Sequence, residues 1–285
     1  MKQAMFFEKI ENNNVQCLLC PHGCVLEQGR TGICMARKNI DGRLYSLNYA
    51  RVCSIGLDPV EKKPLYRFHP GKTILSAGTF GCNFKCGYCQ NWSISQRNAR
   101  TMELMPEKLA DLAVEYTSRG NTGVAFTYNE PSIWYEYVYE TAILVKERGL
   151  SNVLVTNGYI NEEPLEKLLP YIDAMNIDVK AFTDSFYKKY CKGSLDAVKK
   201  TVERAVRSCH VEVTTLVIPG LNDDPDEIEK IAEWLSGISR DVVLHLTRFF
   251  PNYTMSDIPP TPTDVIKNAV NIAKKHLKFV YAGNM

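Results

Sequence analysis

Residues 81–91 read GCNFKCGYCQN, and this stretch decides the fold. Its three cysteines, Cys82, Cys86 and Cys89, have the spacing C-x3-C-x2-C, and an apolar run at 73–77 comes shortly before them. A tetrahedral zinc site needs four ligands, and this triplet supplies three. Three thiolates on a tight loop suit a [4Fe-4S] cluster with one iron open to another ligand. A zinc site completed by a distant histidine is the alternative.

Short apolar runs continue beyond this loop and are typical of buried parallel strands. They lie at 73–77, 123–127, 153–156, 174–179, 211–218, 242–247 and 277–281. Segments of helical periodicity lie between them, for example Leu109, Leu112, Ala113 and Tyr116, preceded by Pro106 at a first-turn position. This alternation predicts an α/β fold with a parallel sheet and outer helices. Six or seven units are too few for a closed eightfold barrel, so we predict a partial, TIM-like (β/α)6-type barrel.

The composition excludes several classes of protein. The 285 residues carry a net charge of +2, which gives no indication of nucleic-acid binding. No apolar run reaches the roughly 18 residues of a membrane helix, and the N-terminus does not resemble a signal peptide. We therefore expect a cytoplasmic protein that binds neither membrane nor nucleic acid. Its ten cysteines would stay reduced, and the clustered ones would bind metal.

A second group of cysteines precedes the predicted barrel. Cys17, Cys20, Cys24 and Cys34 supply four thiols within 18 residues, a complete set for structural zinc or a fully ligated iron–sulfur cluster. Zinc is slightly favoured, because a small segment with few core residues gains folding energy from such a site. A second cluster could instead relay electrons or hold substrate. We divide the chain into a cysteine-rich segment, 1–70, and a barrel, 71–285.

Polar residues follow the predicted strands, at the edge where barrels of this kind place their chemistry. They are Thr127, Asn129, Glu130, Asn157, Asp178, Lys180 and Arg248. Each has a simpler interpretation. Glu130 could cap a helix that begins near Ser132, and Lys180 could form an ion pair with Asp178. A buried lysine could also form a Schiff base, as in class I aldolases.

The cysteine loop, with Tyr88 directly before its last cysteine, resembles that of the radical S-adenosylmethionine (SAM) superfamily. The resemblance implies that Cys82, Cys86 and Cys89 ligate a [4Fe-4S] cluster whose open iron binds SAM. One electron from the cluster would then release a 5′-deoxyadenosyl radical that abstracts hydrogen from a substrate. In this family Tyr88 would lie near the adenine.

The resemblance also assigns the strand ends to SAM. Thr127, Asn129 and Glu130 occupy the place of the turn that meets the SAM amino group, although Tyr128 and Asn129 replace its glycines. Lys180, with Asp178, would meet the carboxylate. Asn157 is the candidate for the ribose contact, because Val155 replaces the family's aspartate. Arg248 is a candidate because of its position at the end of the sixth strand.

Three further stretches resemble one subgroup, the AmmeMemoRadiSam-system enzymes, which are often described as pyruvate formate-lyase-activating-enzyme-like. They are CLLCPHGC at 17–24, DPVEKKPL at 58–65 and RFFPNY at 248–253. The subgroup implies Memo-like and AMMECR1-like partners and a reductant such as ferredoxin or flavodoxin. We expect a radical SAM enzyme of unidentified substrate. A glycyl-radical-enzyme activase is the second interpretation, and a non-catalytic metal-binding module is the third.

Overall fold

The structure, a computed structural model, describes residues 1–285. Its strands are β1 (Lys2–Gln3), β2 (Phe7–Lys9), β3 (Val15–Cys17), β4 (Val25–Leu26), β5 (Arg37–Ile40), β6 (Arg43–Ser46), β7 (Arg51–Val52), β8 (Ser54–Pro59), β9 (Thr73–Gly78), β10 (Met102–Glu103), β11 (Asn121–Phe126), β12 (Ser151–Thr156), β13 (Ala174–Asp178), β14 (His210–Val217), β15 (Val243–Arg248) and β16 (Val280–Gly283). Its α-helices are α1 (Trp92–Ser95), α2 (Pro106–Glu115), α3 (Tyr135–Glu147), α4 (Glu162–Leu168), α5 (Asp184–Phe186), α6 (Leu195–Ala205), α7 (Pro225–Ile238) and α8 (Thr263–Ala273). A π-helical turn follows α5 at Tyr187–Cys191.

The main sheet has eight strands in the order β16-β15-β14-β13-β12-β11-β9-β8. Neighbours from β9 to β16 pair in parallel, and β8 pairs antiparallel with β9. Helices α2, α3, α4, α6, α7 and α8 lie on the six successive crossovers. The order does not return to its first strand, so the sheet is open between β16 and β8. The predicted partial (β/α)6-type barrel is confirmed.

Local sequence signals define where the helices begin and end. Pro106 and Pro225 occupy first-turn positions, where a missing backbone N–H costs nothing. The side chain of Asp224 accepts a hydrogen bond from the backbone N–H of Asp226 and so caps α7. Gly149, with a φ of 70°, follows the end of α3. These signals agree with the helical periods read from the sequence.

The N-terminal part forms two small antiparallel sheets, β1-β6-β5 and β2-β3-β4, and its strand β7 pairs with β10, which follows the cysteine loop. Strand β8 also comes from this part, yet it pairs into the main sheet along Ser54–Pro59. One apolar core of 61 buried residues runs from Ala4 to Val280. The division at residue 70 stays a prediction, because packing is continuous across it. None of the helices combines the length and the apolar character that crossing a membrane requires.

A buried carboxylate fastens the loop that follows β8 to the sheet. Glu212 of β14 accepts hydrogen bonds from the backbone N–H groups of Tyr66 and Arg67 at 3.0 and 2.8 Å. Its carboxylate also lies 2.9 Å from Nε2 of His210 and 2.6 Å from Nε2 of His245. Burial opposes ionisation of Glu212, but these hydrogen bonds outweigh it and lower its pKa to about 2.

Candidate active site

A cavity of about 570 Å³ is lined by the three cysteines of the loop and by all the predicted SAM-binding residues except Arg248. The predicted residues that line it are Cys82, Cys86, Tyr88, Cys89, Thr127, Asn129, Glu130, Asn157, Asp178 and Lys180. Its volume is within the range of small-molecule binding sites. It lies where the parallel strands β9, β11, β12 and β13 end, as the barrel rule requires.

Arg248 lies at the end of β15 but is not among the cavity-lining residues. Its Nε donates a hydrogen bond to the Thr261 carbonyl at 2.8 Å, and its guanidinium lies 5.0 Å from the ring centroid of Phe250. These contacts hold the guanidinium against the loop that follows β15. The structure therefore does not bring Arg248 together with the other predicted site residues.

The three cysteines of the loop after β9 form one wall of the cavity. Cys86 is buried, and Cys82 and Cys89 are partly buried. The sulfur of Cys82 accepts a hydrogen bond from the backbone N–H of Phe84 at 3.3 Å, and the side-chain amide of Asn157 lies 3.7 Å from it. Burial raises the pKa of the Cys82 and Cys89 thiols. Buried thiols with N–H donors at their sulfur are suited to ligate a cationic cluster.

Two asparagines hold this loop in place. The side chain of Asn129 accepts from the Thr79 N–H at 3.0 Å and donates to the Gly81 carbonyl at 2.9 Å. Asn157 donates to Oδ1 of Asn83 at 2.8 Å. Both residues were predicted to contact SAM, and both carboxamides already bond to the loop. Their observed contacts position the cysteines.

Glu130 is 2% exposed and accepts three hydrogen bonds from the protein. Ser132 N–H and Thr156 Oγ1 donate to its Oε1 at 2.9 and 2.7 Å, and Asn157 N–H donates to its Oε2 at 2.7 Å. Burial raises its pKa, and the hydrogen bonds act against that rise. The residue thus caps the turn at Pro131–Trp134 and also ties the end of β11 to the end of β12.

Lys180 and Asp178 form an ion pair of 2.6 Å at the end of β13, and both line the cavity. Burial alone would lower the pKa of Lys180, but the Asp178 carboxylate and the nearby Cys86 outweigh it, and the pKa is raised. A Schiff base requires a neutral amine, so this environment disfavours the aldolase-type interpretation of Lys180. A charged ammonium at the cavity wall is suited instead to an anionic group.

Cys191 and Tyr88 form a contact that the sequence did not indicate. The hydroxyl of Tyr88 lies 3.2 Å from the sulfur of Cys191, and both side chains are buried. A hydrogen bond with Cys191, aided by the charge of Lys180, lowers the pKa of Cys86. Cys191 lies more than 100 positions from the loop, and no local motif marks it. Only the turn at Tyr187–Cys191 brings it there.

The cavity wall that β8 and the turn after it form was not predicted from the sequence either. Asp58 accepts a hydrogen bond from Tyr128 at 2.7 Å and forms an ion pair of 2.7 Å with Lys63, which is 3% exposed. Tyr128 has a φ of 69°, a left-handed conformation that is uncommon for a tyrosine. The stretch DPVEKKPL was noted for its resemblance alone, and its pairing with Tyr128 spans 70 positions.

The four N-terminal cysteines also come together. Cys17, Cys20 and Cys34 are each 7% exposed, and Cys24 is partly buried. Burial raises the pKa of Cys17 to about 11 and that of Cys20 to about 12, and in both cases the neighbouring cysteines contribute. Across the whole chain, no three His, Cys, Asp or Glu side chains converge closely enough to hold one metal ion.

A partial (β/α)6 barrel with a three-cysteine loop after its first strand defines a class of SAM-dependent iron–sulfur enzymes. The model of the radical SAM superfamily matches residues 77–235. An uncharacterised protein of Methanocaldococcus jannaschii is 43% identical over 291 residues, covering 100% of this chain and 86% of that protein. A second protein of that organism, named as a glycyl-radical enzyme activating enzyme, is 30% identical over 207 residues, covering 71% and 77%.

A solved structure shares the fold. A radical SAM methyltransferase from Sphaerobacter thermophilus superposes with a TM-score of 0.59 at 15% identity, covering 76% of this chain and 67% of that chain. The chain belongs to the radical SAM superfamily. It is therefore an enzyme of the family whose general reaction is reductive cleavage of SAM to a 5′-deoxyadenosyl radical at a [4Fe-4S] cluster.

Proposed function

We propose that Cys82, Cys86 and Cys89 hold the [4Fe-4S] cluster, and that SAM and a polar substrate share the cavity beside them. The observation that carries this proposal is the convergence of these three thiols with the Lys180–Asp178 pair on one cavity. The donor set fits the cluster, because three thiolates leave one iron without a protein ligand. When bound, the cluster and SAM supply the radical that abstracts hydrogen from the substrate.

The chain's own residues bind and position these groups. Lys180 remains an ammonium in its ion pair and would bind the SAM carboxylate. Thr127 and Tyr88 line the same cavity, with Tyr88 held by Cys191. Asn129, Asn157 and Glu130 act as positioning residues, because their polar atoms bond to the cysteine loop and to the ends of the neighbouring strands.

The rest of the cavity is suited to a polar substrate. Lys63, Asp58 and Tyr128 form one charged wall, and Asn176 and Thr214 line the interior and bond to each other. A buried polar wall of this kind favours ligands that complete its hydrogen bonds over apolar ones. The substrate itself stays unidentified in this proposal.

A glycyl-radical-enzyme activase is the second candidate, and the relative that is 30% identical and named as such favours it. An activase must admit a segment of another protein into the cavity. Incubation of the reduced holoenzyme and SAM with a candidate glycyl radical enzyme distinguishes the two, because only an activase generates the partner's backbone radical. Memo-like or AMMECR1-like proteins are the partners expected for the leading candidate.

We also propose an electron donor and a compartment for the enzyme, and a metal for its N-terminal cysteines. A low-potential donor such as ferredoxin or flavodoxin would reduce the cluster in the cytoplasm, where thiols stay reduced. The N-terminal cysteines Cys17, Cys20, Cys24 and Cys34 would bind a metal of their own, as zinc or as a second cluster.

The direct test is anaerobic. The protein is reconstituted with iron and sulfide, reduced in the presence of SAM, and assayed for 5′-deoxyadenosine. We expect product from the wild type and from Cys209→Ala, a matched control outside both cysteine groups, and none from Cys86→Ala. A wild type with a loaded cluster that forms no product, and whose reduced EPR spectrum SAM leaves unchanged, would contradict the proposal.

A further inference from the structure

The N-terminal cysteines form one group of free thiols. Cys17, Cys20 and Cys34 are each 7% exposed, and Cys24 is partly buried. The sulfur of Cys24 lies beside Gly32, two positions before Cys34, where a Cβ atom would be 3.8 Å from it. Four free thiols in one segment are a complete ligand set for a metal centre.

A buried arginine provides independent evidence for a charged group at this site. Arg37 is 1% exposed, and its Nη1 pairs with Oε1 of Glu136 at 2.8 Å. Its Nε and Nη2 have no hydrogen-bond partner. The same guanidinium lies close enough to Cys17 and Cys34 to interact electrostatically with both. Buried unpaired donors are costly, so the N–H bonds on these two nitrogens indicate an acceptor that thiolates or bridging sulfides would supply.

The position of the site favours a cluster over zinc. A zinc ion has no redox chemistry, so at this site it could only stabilise the segment. A fully ligated iron–sulfur cluster gains and loses one electron, and a neighbouring SAM-binding cluster needs such a donor.

The segment that carries the N-terminal cysteines packs against the loop that carries Cys82, Cys86 and Cys89. Gly81, which precedes Cys82, packs against the carbonyl oxygen of Cys34, and a side chain there would clash with it. On the other side, Nε2 of His22 lies 2.8 Å from the Asn83 carbonyl. The two cysteine-bearing segments therefore contact each other at two points.

We propose that Cys17, Cys20, Cys24 and Cys34 hold a second, fully ligated [4Fe-4S] cluster that transfers electrons to the cluster of Cys82, Cys86 and Cys89. This inference rests on the proposed function of the loop. A low-potential one-electron donor of the ferredoxin or flavodoxin class reduces the N-terminal cluster. That cluster is reoxidised as the SAM-binding cluster gains the same electron, so the transfer is balanced.

The experiment measures iron, sulfide and zinc in the anaerobically reconstituted full chain. We expect about eight irons per chain and no stoichiometric zinc, since each cluster contains four irons. Cys20→Ser should retain about four irons and the SAM-induced change in the EPR spectrum. Cys209→Ser, the matched control, should retain about eight. In the doubly reduced wild type, the two EPR signals should broaden each other, and Cys20→Ser should abolish the broadening.

Several results would overturn the inference while leaving the loop's function intact. One zinc with about four irons per wild-type chain would refute a second cluster, and so would Cys20→Ser with unchanged iron. Eight irons without magnetic interaction would refute electron transfer between the clusters. Loss of the SAM response with the N-terminal cluster intact would instead refute the proposed function. If Cys20→Ser does not fold, the more exposed Cys24→Ser replaces it, and the wild-type metal content remains decisive.

The role of Arg37 has a separate readout. The double variant Arg37→Gln/Glu136→Gln removes both charges of the buried pair and leaves neither unpaired. We expect the reduction potential of the N-terminal cluster to become more negative, because a nearby cation favours the reduced, more negative state. The potential of the loop cluster should stay closer to its wild-type value. Equal shifts in both potentials would contradict a local effect of Arg37.

Discussion

Replacement of Glu130 by glutamine tests whether its three hydrogen bonds support the active site. In the wild type, Oε1 accepts from Ser132 and Thr156, and Oε2 accepts from the backbone N–H of Asn157. A glutamine has one acceptor oxygen. If it keeps the two bonds at Oε1, its amide group faces the N–H of Asn157, donor against donor.

The cost follows from these contacts. An unpaired buried N–H costs roughly 1–3 kcal/mol, and hydrogen bonds to a neutral amide are weaker than those to a carboxylate. Removal of a buried charge returns part of this cost, because burial raises the pKa of Glu130. We expect a net destabilisation of about 2 kcal/mol, or a fall of roughly 4 °C in Tm for a chain of this size. SAM should bind roughly fivefold more weakly, equivalent to about 1 kcal/mol, because Asn157 also contacts the Cys82 sulfur.

The assay compares thermal melts of the reconstituted proteins and SAM titrations followed by EPR. Glu163→Gln is the matched control, since Glu163 is exposed at the start of α4, and it should melt and bind SAM like the wild type. If Glu130→Gln melts within 1 °C of the wild type and binds SAM equally well, the reasoning from its three hydrogen bonds is refuted.

The remaining predictions concern backbone space, pH and charge. Gly81→Ala should lose iron and melt several degrees lower, because its new methyl group clashes with the Cys34 carbonyl. Gly29→Ala is the control for backbone strain, since Gly29 has a similar φ of 75° and open space around it. Glu212, with a pKa of about 2 against an ordinary 4.5, should contribute about 3 kcal/mol above pH 4.5 and lose it as pH falls towards 2. The difference in Tm between wild type and Glu212→Gln should therefore shrink with acidification, and a constant difference would contradict the assignment. Lys180→Met should weaken SAM binding at least tenfold by isothermal titration, whereas unchanged affinity would remove the ammonium from the SAM site.

The parallel strands were predictable because both of their faces are buried. Runs such as 123–127 and 153–156 are continuously apolar, and the structure places strands at Asn121–Phe126 and Ser151–Thr156. Strand β8 was missed. Ser54–Pro59 contains glycine, aspartate and proline, lies at the sheet edge, and is mostly half-buried, so it lacks both the apolar run and a clear alternation.

The site was predictable where one loop carries it, and less so where distant segments meet. The spacing of Cys82, Cys86 and Cys89 is local, so the sequence alone identified it. The roles of Cys191 and Arg37 could not be predicted, because they depend on contacts between segments that are distant in the sequence. No motif encodes the Tyr88–Cys191 contact or the unpaired donors of Arg37. For Arg248, position at a strand end was insufficient, because the neighbouring Thr261 carbonyl binds its side chain.

The open seam between β16 and β8 affects how molecules reach the interior. In a closed barrel, every widening of the wall breaks backbone hydrogen bonds between strands. Here no strand pairing joins β16 to β8. The rings of Tyr66, after β8, and Tyr281, in β16, pack together with their centroids 4.9 Å apart. The cavity reaches Lys63 on one side of the seam and Asn284 on the other. Widening this side of the cavity therefore breaks no hydrogen bond of strand pairing, so a bulky molecule can enter or leave without disrupting the sheet that carries the cysteine loop.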